Sequence, residues 1–386
     1  MYLLLIHNNY GVYSGEEMVF DQQISLFREM GHKVEVYRKT TEGLRGTLSG
    51  NISGLLQGFY APSAVHDIQK TMQTNRPDCV IVHNLYPYIS PAILKPIKKA
   101  GVPIIMTVHN FRLICPVGLF MRRSEPKPCE MCLQKGNEWS CIRYNCELNW
   151  LKSIGYAARN WYARKTKAYI KHVDFYACIT NFQIQKLIEA GFDAGKMVHI
   201  SNFLDKITEQ KSQLGEYVAV SGRLSKEKGI DLILQAASQT PEIQYVFAGS
   251  PREEEPITTP IPENCVFLGH ISKTELPDFY AKARFLVMAS RCYEGFPMTI
   301  LEIAQYAKPA IGPAHAGFLE IIDDKQTGLL FQPNNLADLT EKIQTLWNST
   351  EECTIMGRNA LQKLKSHYTM QAVKEKWCKI ITQCVL

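Results

Sequence analysis

A chain of 386 residues exceeds the usual domain of about 100–200 residues and has room for two or three hydrophobic cores. Hydrophobic residues at 46% and charged residues at 21% exclude disordered and collagen-like classes. The 43 Lys plus Arg against 37 Asp plus Glu leave a formal charge of +6, too little to imply nucleic acid, so any basic surface must be local.

The first apolar run, Tyr2–Ile6, has no basic residue before it, which predicts a β-strand and not an export signal. A helical pattern from Glu16 to Met30 follows, then apolar runs at Lys33–Tyr37, Asp78–Val82 and Pro103–Val108. After Phe175–Ile179 and a helix near Gln183–Ala190, the polar stretch Asp205–Leu214 reads as a linker. The alternation then restarts with Tyr217–Val220, Ile243–Ala248, Val266–Leu268, Phe285–Met288 and Ala310–Gly312. Strands alternating with helices predict an α/β protein with two doubly wound parallel-sheet domains, at about 1–205 and 206–365, followed by a terminal helical segment, 366–386. No run approaches the roughly 18 apolar residues of a spanning helix. Twelve Cys, several scattered singly (Cys79, Cys178, Cys265), read as reduced thiols. A cytoplasmic protein is expected, soluble or peripheral on a membrane.

Ligands of an open parallel sheet bind beyond the carboxyl ends of its strands, and in the first half these ends repeat a motif. His7-Asn8-Asn9, His83-Asn84 and His109-Asn110 each follow an apolar run. Taken singly, each His is better explained as capping its strand. Together they would line one crevice with uncharged donors and acceptors suited to a hydroxyl-rich ligand such as a sugar. The loop Tyr10-Gly11-Val12-Tyr13-Ser14-Gly15 before the first helix would offer backbone amides and a helix N-terminus to an anion, or is an ordinary βα turn. Without Gly-x-Gly-x-x-Gly or a Walker lysine, a dinucleotide dehydrogenase or a P-loop NTPase is disfavoured.

The second half is more specific. After Tyr217–Val220 comes Ser221-Gly222-Arg223-Leu224-Ser225-Lys226-Glu227-Lys228-Gly229 and then a helix near Ile230. Arg223 offers a planar donor fork and Lys228 a point charge, a combination suited to a diphosphate. After Phe285–Met288 come Glu294 and, eight residues on, Glu302, with a helix starting at about Pro297. One carboxylate ahead of the helix and one within it can address two parts of an extended ligand.

These residues resemble glycosyltransferase family 4, retaining nucleotide-sugar transferases with the GT-B fold of two Rossmann-like domains facing a cleft. The resemblance rests on Gly222-Arg223-Leu224 through Lys228-Gly229, the Glu294 and Glu302 pair, Gly328-Leu329-Leu330-Phe331, Thr107-Val108-His109-Asn110, Ser201-Asn202-Phe203 and the stretch Asn110–Phe120. It implies that Arg223 and Lys228 hold a donor diphosphate with amides near Gly295, Phe296 and Met298. Glu294 would contact the sugar and Glu302 the ribose, while His109 would reach the transferred sugar. Gly15 and its loop would close over the phosphates, although Asn110 and Ser14-Gly15 depart from the family's usual residues. His7, His83, Asn84 and Asn110 are the acceptor-side candidates. The last helix, Thr369–Cys384, would cross back onto the N-terminal domain.

Transfer builds negative charge on the departing nucleoside diphosphate, which Arg223, Lys228 and helix amides would stabilise. No two Asp are separated by one residue, so the metal clamp of other transferases is missing and metal-independent catalysis is expected. The acceptor would be a glycan or a lipid-linked sugar of polysaccharide or cell-envelope biosynthesis. Donor base, sugar and linkage stay open. A nucleotide-sugar epimerase of the same fold is the alternative, and a zinc-dependent nucleic-acid-binding module is the alternative from another class. No nucleic-acid partner is expected.

An insert at 110–148 carries Cys115, Cys129, Cys132, Cys141 and Cys146. Cys129, Cys132, Cys141 and Cys146 could ligate a structural zinc, or pack as free thiols. From Ala92 to His172 there are 15 Lys plus Arg against 4 Asp plus Glu. Within that stretch Leu151, Ile154, Ala158, Tyr162 and Tyr169 recur at near-helical spacing, which reads either as a helix lying on an anionic membrane surface or as one packed on the sheet with a solvated basic face.

Overall fold

The structure is a computed structural model that describes residues 1–9, 15–41, 48–207, 215–251 and 255–385, with backbone alone at 48–52. The chain forms two units: 1–120, 130–202 and 370–386 make the first, 121–129 and 203–369 the second. The expected linker lies mostly outside the described residues, as do Tyr10–Ser14 of the first glycine loop.

The first unit has six parallel strands: β1 (Tyr2–Asn9), β2 (Lys33–Thr40), β3 (Cys79–Val82), β4 (Ile104–Val108), β7 (Phe175–Cys178) and β8 (Met197–His199), in the order β2-β1-β3-β4-β7-β8. Between β4 and β7 in sequence lies a short antiparallel pair, β5 (Met121–Arg122) and β6 (Lys127–Pro128). β3 and β4 are buried along their whole length because helices cover both faces of a parallel sheet, so their sequences are apolar throughout. β2 is the edge strand. It alternates exposed and half-buried residues and carries Lys33, Glu35, Arg38 and Lys39, charges that protect an open edge from pairing. The strand order reverses between β1 and β3, so His7 near the end of β1 and His83 just after β3 come to the same end of the sheet.

The second unit repeats the architecture with β9 (Tyr217–Ser221), β10 (Tyr245–Ala248), β11 (Cys265–Gly269), β12 (Ala283–Val287), β13 (Ala310–Pro313) and β14 (Gly328–Phe331). All are parallel, in the order β11-β10-β9-β12-β13-β14. Numbered within the unit this is 3-2-1-4-5-6, the doubly wound order whose crevice opens where the order reverses. That point lies between β9 and β12, the strands that precede Arg223 and Glu294. Two glycines let the backbone close there. Gly229 has a φ of +70°, and a Cβ on it would stand 2.0 Å from the Ala289 carbonyl oxygen. Gly249, at a φ of +142°, would put a Cβ 1.8 Å from the carbonyl of Gly222.

The last helix, Met370–Val385, belongs to the first unit. It packs beside β3 and β4, with Trp377, Ile380 and Ile381 fully buried and the Trp377 ring edge-on to Phe27 at 5.1 Å.

Two expectations need correction. The apolar stripe on the helix Trp150–Lys165 does not pack on the sheet. Leu151, Ile154 and Tyr162 are exposed, while Ser153, Gly155, Ala157, Arg159, Asn160 and Ala163 are buried. The inward side is small because it seats against a neighbouring helix, with a Cβ on Gly155 placed 2.5 Å from Leu55. Its polar members are paired in part, with Arg159 Nε and Asn160 Oδ1 left without a hydrogen-bond partner. Arg159 donates to the Pro116 carbonyl at 3.2 Å and lies 3.9 Å above the Tyr86 ring, and Asn160 donates to the Arg112 carbonyl at 2.7 Å.

The second correction concerns the insert. Residues 121–129 group with the second unit and 130–202 with the first, and Arg122 donates to the Cys129 sulfur at 3.4 Å. The Cys141 thiol is pushed well up by its hydrogen bond with Cys146, then by burial and by nearby Cys115 and Cys132. Although Cys141 lies near Cys146 and Cys132, among the described residues no group of three or more His, Cys, Asp or Glu, the four expected zinc ligands included, is arranged to hold a metal.

Candidate active site

In the first unit the three strand-end histidines meet, though not as an open row. His83 and His109 stack with ring centroids 4.9 Å apart, and the His83 Nδ1 is 2.7 Å from the His109 Nε2. His7 meets His83 edge-on at 6.0 Å and stacks on Phe20 at 4.7 Å. His7 and His83 are wholly buried, at 0% and 1% exposure. Phe20 and Glu17, on the helix Gly15–Glu29, cover His7. Asn84 is also committed inward: its amide donates to the carbonyls of Asn8 and Tyr86, each at 2.8 Å, and its oxygen accepts from Arg112 at 3.2 Å. His109 and Asn110 are the candidates left partly exposed. Asn110 donates to Glu16 at 2.6 Å and accepts from the Arg112 amide at 2.9 Å. A pocket is lined by Glu16, His83, Thr107, His109, Asn110 and Arg112. Gly15 stands at the start of the helix, and a Cβ there would meet nothing within 4 Å.

Burial lowers both stacked rings. His83 lies well below the ordinary imidazole range, helped by His109 and His7. His109 is brought from 6.5 to about 4, with Glu16 opposing. Both are therefore neutral at pH 7, and the unfolded chain binds their protons more readily than the folded one. That contribution to stability is whole above about pH 6.5 and is lost as the pH falls from there towards 4. Each group adds a slope of at most about 1.4 kcal/mol per pH unit, less for the partly exposed His109. Denaturant midpoints of the wild type should drop between pH 7 and 5, and His83→Gln should flatten that dependence. A wild-type midpoint independent of pH over this interval would refute the assignment.

In the second unit Arg223 and Lys228 follow β9. Lys228 Nζ is 2.5 Å from Glu294 Oε1, which also accepts from Ser290 Oγ at 2.7 Å. Burial works to raise the Glu294 carboxyl, but the charge of Lys228 and the hydrogen bonds from Lys228 and Ser290 outweigh it and hold the pKa below the usual range. Burial likewise works to lower Lys228, and Glu294 reverses the sign. The pair is ionised. Arg223 pairs in turn with the buried Glu227 at 2.5 Å, and Glu227 Oε2 lies 4.0 Å from Arg123. Beside them Arg291 makes a two-pronged contact with Asp231, at 2.6 and 2.8 Å.

Glu302 lies in the helix Met298–Ala304 and accepts from the Tyr280 hydroxyl at 2.7 Å, whose oxygen in turn accepts from the Ser221 hydroxyl at 3.0 Å. Burial raises its pKa, against the Tyr280 hydrogen bond. Gly295 and Phe296 precede that helix and Met298 opens it, with no side chain capping the first turn. The crevice end of the unit thus gathers two cations, two carboxylates and a helix start, a set able to hold a diphosphate and adjacent hydroxyls.

Sequence reading missed Ser290, Tyr280, Glu227 and Arg112. Glu227 had a signal, since it stands four residues after Arg223 in one loop. Tyr280 had none, because its contact with Glu302 depends on how two helices pack.

Two family sequence models match the chain: the one described as Glycosyltransferase Family 4 over residues 13–206, and the one described as Glycosyl transferases group 1 over 205–363. The chain is similar to the alpha-D-kanosaminyltransferase of Streptomyces kanamyceticus, 23% identical over 302 residues, 75% of this chain and 72% of that one. It is 30% identical over 152 residues to the sulfoquinovosyl transferase SQD2 of Arabidopsis thaliana, covering 38% of this chain and 29% of that protein, so this match spans less than a third of the plant protein. Among solved structures it is similar to a sucrose-phosphate synthase from Thermosynechococcus elongatus (TM-score 0.73, 14% identity, covering 99% of this chain and 98% of that one). It is also similar to HepE of Anabaena in complex with UDP and glucose (TM-score 0.70, 13% identity, 99% and 100%). At such identities the likeness is one of fold.

Proposed function

We propose, given that the chain belongs to glycosyltransferase family 4 and is a glycosyltransferase of the GT-B fold, that it moves a hexosyl group from a nucleoside-diphosphate sugar to a glycan or lipid-linked acceptor. Anomeric configuration is retained and no catalytic metal is needed. The observation that carries this reading is the Lys228–Glu294 pair beside Arg223, at the reversal point of the second unit's sheet. Lys228 and Arg223 neutralise the departing diphosphate. Glu294, held ionised, orients the sugar hydroxyls and favours positive charge at the anomeric carbon. Glu302, directed by Tyr280, takes the ribose. His109, neutral at pH 7, meets the transferred sugar as a hydrogen-bonding partner and not as a charge. The metal-free reading rests on the lack of an Asp-x-Asp sequence and on the cations that replace its role. UDP is the first base to test, because a neighbour of the same fold binds it. Among the described residues no helix is long and apolar enough to cross a membrane; the proposed place of action is the cytoplasmic face of a membrane, reached peripherally.

The test is thermal stability against a panel of nucleoside diphosphates and their sugars, with and without a chelator. One ligand at 100 times its Kd should add about 2.7 kcal/mol, and the gain should survive chelation. If no nucleotide stabilises the protein, the donor assignment fails; if the gain vanishes with chelator, the metal-free reading fails.

A further inference from the structure

The helix Trp150–Lys165 is built inside out, and its neighbours extend the reversal. At 100° per residue, Trp150, Leu151, Ile154, Trp161 and Tyr162 fall within an arc of about 120°, and all point to solvent: Trp150 is 57% exposed, Leu151 80% and Trp161 50%. The face continues onto two adjoining elements. Phe59, on the helix Leu48–Phe59, meets the Tyr162 ring at 5.9 Å. Glu138 holds Arg164 by two contacts of 2.9 Å, and Trp139, next to Glu138 in sequence, is 66% exposed. Water-facing helices carry polar residues outward, and single exposed apolar residues are ordinary, but a cluster with three tryptophans marks a surface that meets something apolar.

Charge says what that is. From Glu138 to His172 there are seven Lys plus Arg against two acids, Glu138, which is taken up by Arg164, and Glu147. Arg143, Lys152, Lys165, Lys167 and Lys171 are exposed, and Glu147 is half-buried. A protein partner of ordinary surface would be met by charges of both signs. Tryptophans surrounded by unopposed lysines match instead the boundary of an anionic bilayer, where indoles lie at headgroup level and lysine stems reach past them to phosphate.

We propose that this face is the surface by which the protein lies on a bilayer containing anionic phospholipid. The proposal deepens the reading of a lipid-linked acceptor given above and takes its purpose from that reading, yet its test is separate from donor binding.

The test uses the full chain in co-sedimentation with vesicles of phosphatidylcholine alone or mixed with phosphatidylglycerol, whose charge gives the bilayer a negative surface potential, together with tryptophan emission quenched by brominated acyl chains. Binding should require phosphatidylglycerol, weaken with salt, and blue-shift and quench the emission. Leu151→Glu with Ile154→Glu should lower partitioning at least tenfold. Lys152→Ser with Lys165→Ser should lower it by about 25-fold, at roughly fivefold per lysine. Both double variants change exposed residues and should keep the wild-type melting temperature and its nucleotide-induced shift. The proposal is overturned by absence of binding to anionic vesicles at low salt, or by binding that neither double variant weakens. A vesicle-indifferent protein forming a dimer that Leu151→Glu disrupts would also overturn it, by assigning the face to a second copy. Loss of the nucleotide shift with vesicle binding intact would count against the donor site alone.

Discussion

Lys228→Ala is expected to lower kcat/KM for the sugar donor by about two to four orders of magnitude. Removing one preorganised donor to developing negative charge typically costs 10²–10³ in rate, and here the loss compounds. Lys228 also supplies the charge that keeps Glu294 ionised, so without it the carboxyl rises towards the neutral form and loses its attraction for positive charge at the anomeric carbon. Glu294→Gln should cost a similar amount, because it removes that charge while retaining a hydrogen-bonding group. The double variant should be far less impaired than the product of the two single losses, since each residue acts through the other. Lys228→Arg should rescue poorly: the contact is a single short Nζ to Oε1 approach, which a planar fork does not reproduce. Steady-state kinetics over the wild type and the four variants settle the matter, and wild-type turnover in Lys228→Ala would remove the donor site from this crevice.

Gly229→Ala should be strongly damaging even though it leaves every charged group in place. The residue sits at a φ of +70° and its new Cβ would be 2.0 Å from the Ala289 carbonyl oxygen. The left-handed conformation alone costs alanine about 1 kcal/mol. The overlap adds about 1–3 kcal/mol of overpacking, because the atom in the way is backbone at the end of β12 and cannot rotate aside. Gly269→Ala is the control. It has nearly the same φ, +69°, with nothing within 4 Å of its Cβ, so it should lose the conformational part only. Denaturant unfolding of the two variants separates the terms, and equal losses would show that the close approach is not as drawn. Activity should fall in Gly229→Ala even well below its melting temperature, since relieving the overlap moves Lys228 relative to Glu294.

The alternation of apolar runs located the sheets because a strand buried on both faces must be apolar along its length, as in Cys79–Val82 and Ile104–Val108. Residues following those runs were legible as site candidates for the same reason. Which of them face outward was not. His7 and His109 end their strands alike in sequence, but Phe20 and Glu17 on a helix cover the first and leave the second partly open. The cations of the donor loop were visible and their carboxylate partners less so, because Glu294 lies 66 residues from Lys228 and their meeting depends on β9 and β12 being neighbours. The direction of the stripe on Trp150–Lys165 was not legible in the sequence, because apolar spacing says only that one side differs from the other. Which side faces in was decided by Gly155 and its tight seat on Leu55. Cys129 and Cys132 lie three residues apart, a metal-binding spacing in sequence, yet among the described residues no group of three or more such ligands is arranged to hold a metal.

The helix Met370–Val385 gives the biosynthesis of this protein an order that its numbering hides. The first unit leaves the ribosome early, but the face around Phe27 stays uncovered until Trp377, Ile380 and Ile381 arrive. At ~5–20 residues per second, the wait after residue 202 is roughly 10–40 s. The second unit, nearly continuous from 203 to 369, emerges and can collapse within that interval. What is synthesised first is finished last, and during the delay an apolar groove stands open to chaperones and to neighbouring nascent chains.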